Sequence, residues 1–139
     1  MRISIALFAL TISWLGLAPA YAQDARASAA ACDSRKIGAR ELSECLKAAS
    51  DKSDHELAAI VDAAIKSIEG RSGLSNAQKT RWRRLLNDAE SQWLTWRDAE
   101  CQDLAPFEAG MSAKGADPRI ACMIDQNARR AAELSARYK

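Results

Sequence analysis

The most informative part of the chain is Trp93-Leu94-Thr95-Trp96-Arg97-Asp98-Ala99-Glu100-Cys101, which lies late in a long run of helical periodicity. Its two tryptophans are three residues apart, so they share one face of a helix. A segment with proline and glycines then leads to Cys122, the last of 4 cysteines. The pattern predicts a small exported helical domain in which a disulfide closes the late loop.

The first 22 residues have the organisation of a cleaved secretory signal. Met1-Arg2 is a short positive start, residues 3–17 are almost entirely apolar, and Ala20-Tyr21-Ala22 matches the small-x-small pattern of a signal-peptidase site. The alternative is an uncleaved anchor, but the apolar run is shorter than the roughly 20 residues that span a bilayer. We therefore predict a signal peptide at 1–22. The remaining domain, 23–139, is expected to be periplasmic or secreted, with no membrane attachment after cleavage.

The charge balance argues against nucleic acid as a partner. Residues 23–139 keep all 18 acidic and 19 of the 20 basic residues, which leaves a formal charge near +1. Binding to a phosphate backbone is driven by a basic excess that this balance lacks. Arg81, Arg83 and Arg84 form only a local cluster, which we interpret as a solvated helix face.

The apolar spacing predicts four helices and no strands. The first covers the region of Cys32 to Ala49, and the second starts at an Asp54 cap and ends at Gly70. Ser75 and Gln78 form a capping box that opens the longest helix, about 76–103. Asp117-Pro118 opens the last one. The apolar face of the longest helix is predicted to hold Trp82, Leu85, Leu86, Ala89, Trp93, Trp96 and Ala99. The fold class is therefore an all-α bundle with one helix longer than the rest.

Four cysteines in a short exported chain favour two disulfides over free thiols. Three pairings are possible, and we favour Cys32–Cys45 with Cys101–Cys122, because each closes a short local loop. Metal binding is the competing use of four cysteines. Neither pair has the close spacing of zinc ligands, and His55 is the only histidine, so no metal or cofactor is predicted.

The motif Trp93-x-x-Trp96-Arg97-Asp98-x-Glu100-Cys101, followed by Cys122, Arg130 and Leu134, resembles the LprI-like lysozyme-inhibitor domain family. The resemblance covers about 32–138 and implies an exported helical protein that binds lysozyme or another protein of the cell envelope. The chain departs from the family pattern at two places. Leu57-Ala58-Ala59-Ile60-Val61 stands where the family has Leu-Asn-x-x-Tyr, and Glu90-Ser91 stands where many members have Gln-Arg.

The loop from Leu104 to Asp117 is the best candidate for binding a partner. It carries Phe107, Ser112 and Lys114, and a Cys101–Cys122 bond would hold both of its ends. Preorganising such a loop lowers the cost of inserting it into a cleft. Since lysozyme-type enzymes use two carboxylates in a cleft, the hypothesis is inhibition by plugging, with Lys114 supplying a cation. The competing interpretation is an ordinary surface connection.

The motif side chains have two interpretations that the sequence leaves open. Trp93 and Trp96 are either anchors of the bundle core or a partly exposed aromatic patch for a partner. Arg97 and Arg130 are either buried partners that fix the helix register or part of such a patch. If Arg97 has a structural role, we expect it to form an ion pair with Asp98, Glu100 or Glu90.

An enzyme is disfavoured because catalysis needs a nucleophile or a matched acid-base pair, and the chain offers little of either. His55 is isolated beside Asp54 and Glu56, where a surface or capping role is ordinary. The predicted function is an exported, non-enzymatic binding module of the lysozyme-inhibitor type. The alternative is a periplasmic structural or stress-related interaction protein without inhibitory activity.

Overall fold

The computed structural model describes residues 26–110 and 116–139; the predicted signal peptide and the loop residues Ser112 and Lys114 lie outside them. Within these ranges the elements are helical, and none is a strand. In order they are α1 (Ala27–Ala31), α2 (Ala39–Glu69), α3 (Asn76–Ala99), a π-helical turn (Glu100–Leu104), α4 (Ala105–Ala109) and α5 (Pro118–Arg137). The prediction of a small all-α bundle stapled by disulfides is confirmed.

Helix α2 is one helix of 31 residues where two were predicted. Residues 50–53 contain neither glycine nor proline, and the Ser53 hydroxyl donates to the Ser50 carbonyl at 2.9 Å within the helix. The predicted N-cap at Asp54 is wrong. The Asp54 carboxylate instead accepts hydrogen bonds from Arg97 and Asn127 of other helices. A polar residue with partners of this kind does not need to end a helix.

The predicted starts of α3 and α5 and the stop of α2 at Gly70 are confirmed. The Gln78 amide donates to the Ser75 hydroxyl at 3.3 Å, and the Ser75 amide donates to the Gln78 side chain at 2.9 Å, which completes the capping box of α3. The Asp117 carboxylate accepts from the Arg119 amide at 3.0 Å, ahead of Pro118 in the first turn of α5. Gly70 is the C-cap of α2.

The end of α3 differs from the prediction, which placed a loop from Leu104 onward. The chain stays helical through the π turn and α4 as far as Ala109. Pro106 does not break the helix, because it lies in the first turn of α4, where its missing N–H is tolerated. The helix ends at Gly110, whose φ of 58° is in the left-handed region that favours glycine.

Helices α2, α3 and α5 pack side by side around two apolar clusters. One cluster joins Leu57, Ala64, Ile68, Leu86 and Leu134, with Trp82, Trp93 and Tyr138 against it. The other joins Cys32, Leu42, Leu46 and Ile124. The first cluster combines late α2 positions with a late α5 position, and the second combines early positions of both, so α2 and α5 run parallel. Since an early part of α3 packs on the late α2 positions, α3 runs antiparallel to them. A polar layer around Arg97 and Asn127 separates the clusters.

The inward face of α3 is rotated from the predicted one. Leu85, Ala89, Trp96 and Ala99 are exposed, although they were assigned to the apolar face. The positions that face the bundle are Trp82, Leu86, Glu90, Trp93, Arg97 and Cys101. The prediction failed because it counted apolar residues only, whereas two inward positions hold charged residues that other helices neutralise.

Both predicted disulfides are present. Cys32–Cys45 joins the segment after α1 to α2 with a Cα–Cα distance of 6.0 Å, and Cys101–Cys122 joins the π turn to α5 at 5.4 Å. In 26–110 and 116–139, no helix combines the length and the apolar character needed to cross a membrane.

Candidate functional site

Arg97 of the late motif lies inside the bundle, with a side chain only 9% exposed. Its Nη1 donates to Asn127 at 2.8 Å and to Asp54 at 3.1 Å, and its Nη2 donates to Asp98 at 2.8 Å. Asn127 also donates to Ser53 at 2.9 Å. This layer joins α2, α3 and α5 at one level, which matches the interpretation of Arg97 as a buried partner.

Arg130 of α5 forms a second buried ion pair, with Glu90 of α3. The two side chains are 10% and 9% exposed, and both Nε and Nη2 of Arg130 donate to the Glu90 carboxylate. Glu133 adds a second, more exposed partner at 2.7 Å. The hydrogen bonds that Arg130 donates to the Glu90 carboxylate raise the pKa of Arg130 above its ordinary value, so the guanidinium is firmly charged. A buried role was one of the two predicted interpretations of Arg130, but sequence reasoning paired Glu90 with Arg97 and not with Arg130.

The two motif tryptophans have different environments. Trp93 is half-buried, and the guanidinium carbons of Arg97 and Arg130 lie 5.8 and 5.7 Å from its ring centre. Trp96 is 48% exposed, with its ring centre 6.4 Å from that of Trp93. The structure therefore brings three of the predicted residues into one internal cluster and leaves Trp96 at its outer edge. A binding role for these residues stays a prediction.

Phe107 lies apart from this cluster, on α4. Its side chain is 86% exposed, more than any other exposed large apolar residue in the described ranges. The π turn before α4 contains Cys101, which is fully buried and bonded to Cys122 at the start of α5. The turn that carries Phe107 is therefore covalently held to the bundle. Ser112 and Lys114, predicted beside it, lie outside the described residues.

A cavity of about 360 Å³ opens beside this disulfide, between α4 and α5. Its charged lining consists of Arg26, Glu100, Glu108, Asp125 and Arg129. Asp125 also accepts the Ser28 amide at 2.8 Å, so one of the three carboxylates already has a partner. A lining that carries both positive and negative charges suits polar groups of a partner surface. No set of three or more His, Cys, Asp or Glu residues within 26–110 and 116–139 is arranged to hold a metal ion.

A second, shallower groove of about 400 Å³ lies between α2 and α3. Ala58 and Val61, the positions where the chain departs from the family pattern, line it together with Leu94. Arg97 and Glu90 form part of its wall, but both are already paired within the bundle. The small side chains at 58 and 61 leave this part of the surface open.

Charge is distributed very unevenly along α2–α4, although the whole chain carries only +2. Residues 63–87, the basic segment, contain six lysines and arginines and one carboxylate. Residues 88–110, the acidic segment, contain six carboxylates and one arginine. Sequence reasoning missed this separation because it summed charge over the domain, and a count by segment would have found it.

Comparison with known proteins gives one result that bears on these features. The family model described as Lysozyme inhibitor LprI matches residues 30–134, about three quarters of the chain. No curated protein and no solved structure gave a significant match. The matched range includes all four disulfide cysteines, both buried arginines and Phe107. The chain belongs to the LprI lysozyme inhibitor family.

Proposed function

We propose that this protein is an exported, non-enzymatic inhibitor that binds a lysozyme-type glycosidase through the turn of Phe107 and the loop after it. Family membership supports the class of partner. The observation that carries the proposal is the 86% exposure of Phe107 on a turn fixed by the Cys101–Cys122 disulfide.

The exposed ring has the properties of an interface anchor. Aromatic side chains supply large contact areas, and a few of them usually dominate the energy of a protein interface. The helical backbone of α4 and the nearby disulfide order the turn before a partner arrives. Less conformational freedom is then lost on binding, and more of the contact energy appears as affinity.

The acidic segment supplies the electrostatic attraction that the charge of the whole domain lacks. Animal lysozymes are strongly basic, and three carboxylates of the acidic segment, those of Glu100, Asp103 and Glu108, lie within seven residues of Phe107 along the chain. Complementary charge raises the association rate of two proteins. In this proposal Lys114 and Ser112 enter the enzyme cleft, where Lys114 faces the two catalytic carboxylates.

Export fits the disulfide chemistry. The two bridges belong to an oxidising compartment such as the periplasm or the extracellular space. The proposed signal peptide at 1–22 would deliver the domain there, where it would meet lysozyme that attacks the cell wall.

The test is a cell-wall lysis assay in which several lysozymes are titrated with the purified, oxidised domain, residues 23–139. We expect stoichiometric inhibition, and Phe107→Ala should weaken it by at least tenfold, since a truncated interface anchor costs about 2 kcal/mol or more. Lys114→Ala and Ser112→Ala should weaken it further. The matched control is Leu94→Ala, which truncates a residue that is 39% exposed on α3.

Two results would contradict the proposal. Lysozymes that retain full activity at a large molar excess of the domain would remove the inhibitor function and favour an interaction protein with another partner. Inhibition that Leu94→Ala weakens as much as Phe107→Ala does would show that the α4 turn is not the contact.

A further inference from the structure

We propose that the basic end of the bundle binds the surface of an anionic phospholipid bilayer. We define the basic end as the basic segment, 63–87, together with Arg137 and Lys139 at the end of the chain. This inference does not rest on the inhibitor function, because it uses the opposite end of α3 and a different partner.

The cations of the basic end are largely uncompensated. Glu69 is the one carboxylate of the basic segment, and it is engaged by Arg83 at 2.8 Å, while its backbone carbonyl accepts from Lys79 at 2.8 Å. Arg81 and Arg84 are exposed and form no ion pair within the described residues. Asp88 bounds this face one turn later along α3.

Contacts around Trp82 bring the separate cations to one end of the molecule. The guanidinium carbon of Arg71 lies 5.0 Å from the Trp82 ring centre, and the Tyr138 ring centre lies 6.1 Å from it. Tyr138 is flanked in the sequence by Arg137, which also pairs with Glu133, and by Lys139. The α2–α3 turn and the end of α5 therefore lie at the same end of the bundle.

Apolar groups among these cations favour a bilayer over a soluble polyanion. Leu85 is 52% exposed, next to Arg84 and one turn after Arg81. Surfaces that lie in a membrane interface combine arginine or lysine with exposed leucine and with tryptophan or tyrosine. Trp82 and Tyr138 are half-buried at the same end. Anionic headgroups would meet Arg81 and Arg84 while Leu85 enters the headgroup region.

A protein bound in this way would hold most carboxylates of the acidic segment away from the lipid. Arg84 and Phe107 are separated by about 35 Å of helix at 1.5 Å per residue. Carboxylates that lie beyond the Debye length of about 8 Å are screened from an anionic surface in physiological salt. Four of the six carboxylates, Asp98 to Glu108, lie at least about 21 Å of helix beyond Arg84. Glu90 is paired with Arg130, so Asp88 is the carboxylate of the acidic segment that comes near the lipid.

The experiment measures cosedimentation of the purified domain, residues 23–139, with vesicles of equimolar phosphatidylglycerol and phosphatidylcholine, and with vesicles of phosphatidylcholine alone. We expect binding to the anionic vesicles only. The double variant Arg81→Ser/Arg84→Ser should bind them about 25-fold more weakly, since each arginine near an anionic surface contributes roughly fivefold. The control Arg40→Ser/Lys47→Ser removes the same charge from exposed positions on α2 and should lose far less.

Leu85→Ser separates a bilayer contact from a general attraction to polyanions. We expect it to weaken vesicle binding several-fold while circular dichroism shows an unchanged helical spectrum, because Leu85 is exposed. Wild-type affinity in Leu85→Ser, equal binding to neutral vesicles, or equal losses in the two double variants would each overturn the proposal.

Discussion

Replacing Arg130 by methionine removes one half of the ion pair that is buried between α3 and α5. The Glu90 carboxylate accepts from two nitrogens of Arg130, and the two side chains are only 10% and 9% exposed. In the described residues no other cation contacts Glu90. Arg130→Met therefore strands a buried negative charge, whereas the apolar stem of methionine fills much of the space.

The expected loss in the free energy of unfolding is about 3–5 kcal/mol, the range for removing one partner of a buried pair. Replacing the other member of the pair, Glu90, should lower the free energy of unfolding by less. In Glu90→Gln, Arg130 keeps Glu133 at 2.7 Å, and the amide oxygen still accepts one hydrogen bond. We expect about 1–3 kcal/mol there, as for the weakening of a buried hydrogen bond to a charged group.

A double variant that removes both charges completes the test. Arg130→Met/Glu90→Leu leaves no unpaired buried charge, and apolar replacements of buried pairs are often neutral or stabilising. We expect the double variant to be more stable than Arg130→Met alone, by at least about 1 kcal/mol.

The assay is urea unfolding of the oxidised domain at neutral pH, followed by far-ultraviolet circular dichroism. The linear extrapolation gives the free energy of unfolding for each variant. A loss below about 1 kcal/mol in Arg130→Met would refute the reasoning, because the pair would then behave as an exposed salt bridge. A larger loss in Glu90→Gln than in Arg130→Met would also refute it.

Three further outcomes follow from other parts of the structure. Cys101→Ser/Cys122→Ser opens a loop with a sequence separation of 21 and should cost about 3 kcal/mol in urea unfolding, and faster amide exchange should follow in α4. Asn127→Leu removes the hydrogen-bond partner of Arg97 and Ser53 at a position that is 1% exposed. We expect calorimetry to show a loss of about 2–4 kcal/mol in the free energy of unfolding. A change under about 0.5 kcal/mol would contradict a stabilising role of the polar layer. The hydrogen bond from the Arg119 side chain lowers the pKa of Asp117 in the folded protein. The stability that the Asp117 carboxylate contributes is therefore present above the pKa that Asp117 has in the unfolded chain, and it is lost as the pH falls through the pKa that Asp117 has in the folded protein. Asp117→Asn keeps a capping group and should flatten the stability curve in acid, whereas parallel curves for variant and wild type would show that this carboxylate does not set the slope.

The features that sequence reasoning predicted correctly depend on local interactions. The Ser75–Gln78 box spans three residues, the Asp117 cap spans two, and the disulfides have sequence separations of 13 and 21. Spacing rules carry enough information for contacts at such short range. The continuous helix α2 was missed because the partners of Asp54 are 43 and 73 residues away in the sequence.

The candidate site was predictable to a smaller degree for the same reason. Phe107 was identified from its place in a loop bounded by cysteines, although it lies on a helical turn. The inward face of α3 was misjudged because Glu90 and Arg97 look like surface residues until Arg130, Asp54 and Asn127 approach them. Hydrophobic periodicity records which residues avoid water and carries no signal for a charge that another helix neutralises.

The position of charge along α3 changes what the net charge of +2 implies about partners. A field is set by the charges within about a Debye length, so the arginines near position 84 and the carboxylates near Phe107, some 35 Å of helix apart, act almost independently. A balanced total is therefore compatible with one end attracted to a basic enzyme and the other attracted to an anionic bilayer. Both attractions weaken as salt rises. Only the proposed enzyme contact should keep much of its affinity in high salt, because binding buries the ring of Phe107 and this apolar contact is not screened. The bilayer contact depends chiefly on the arginines.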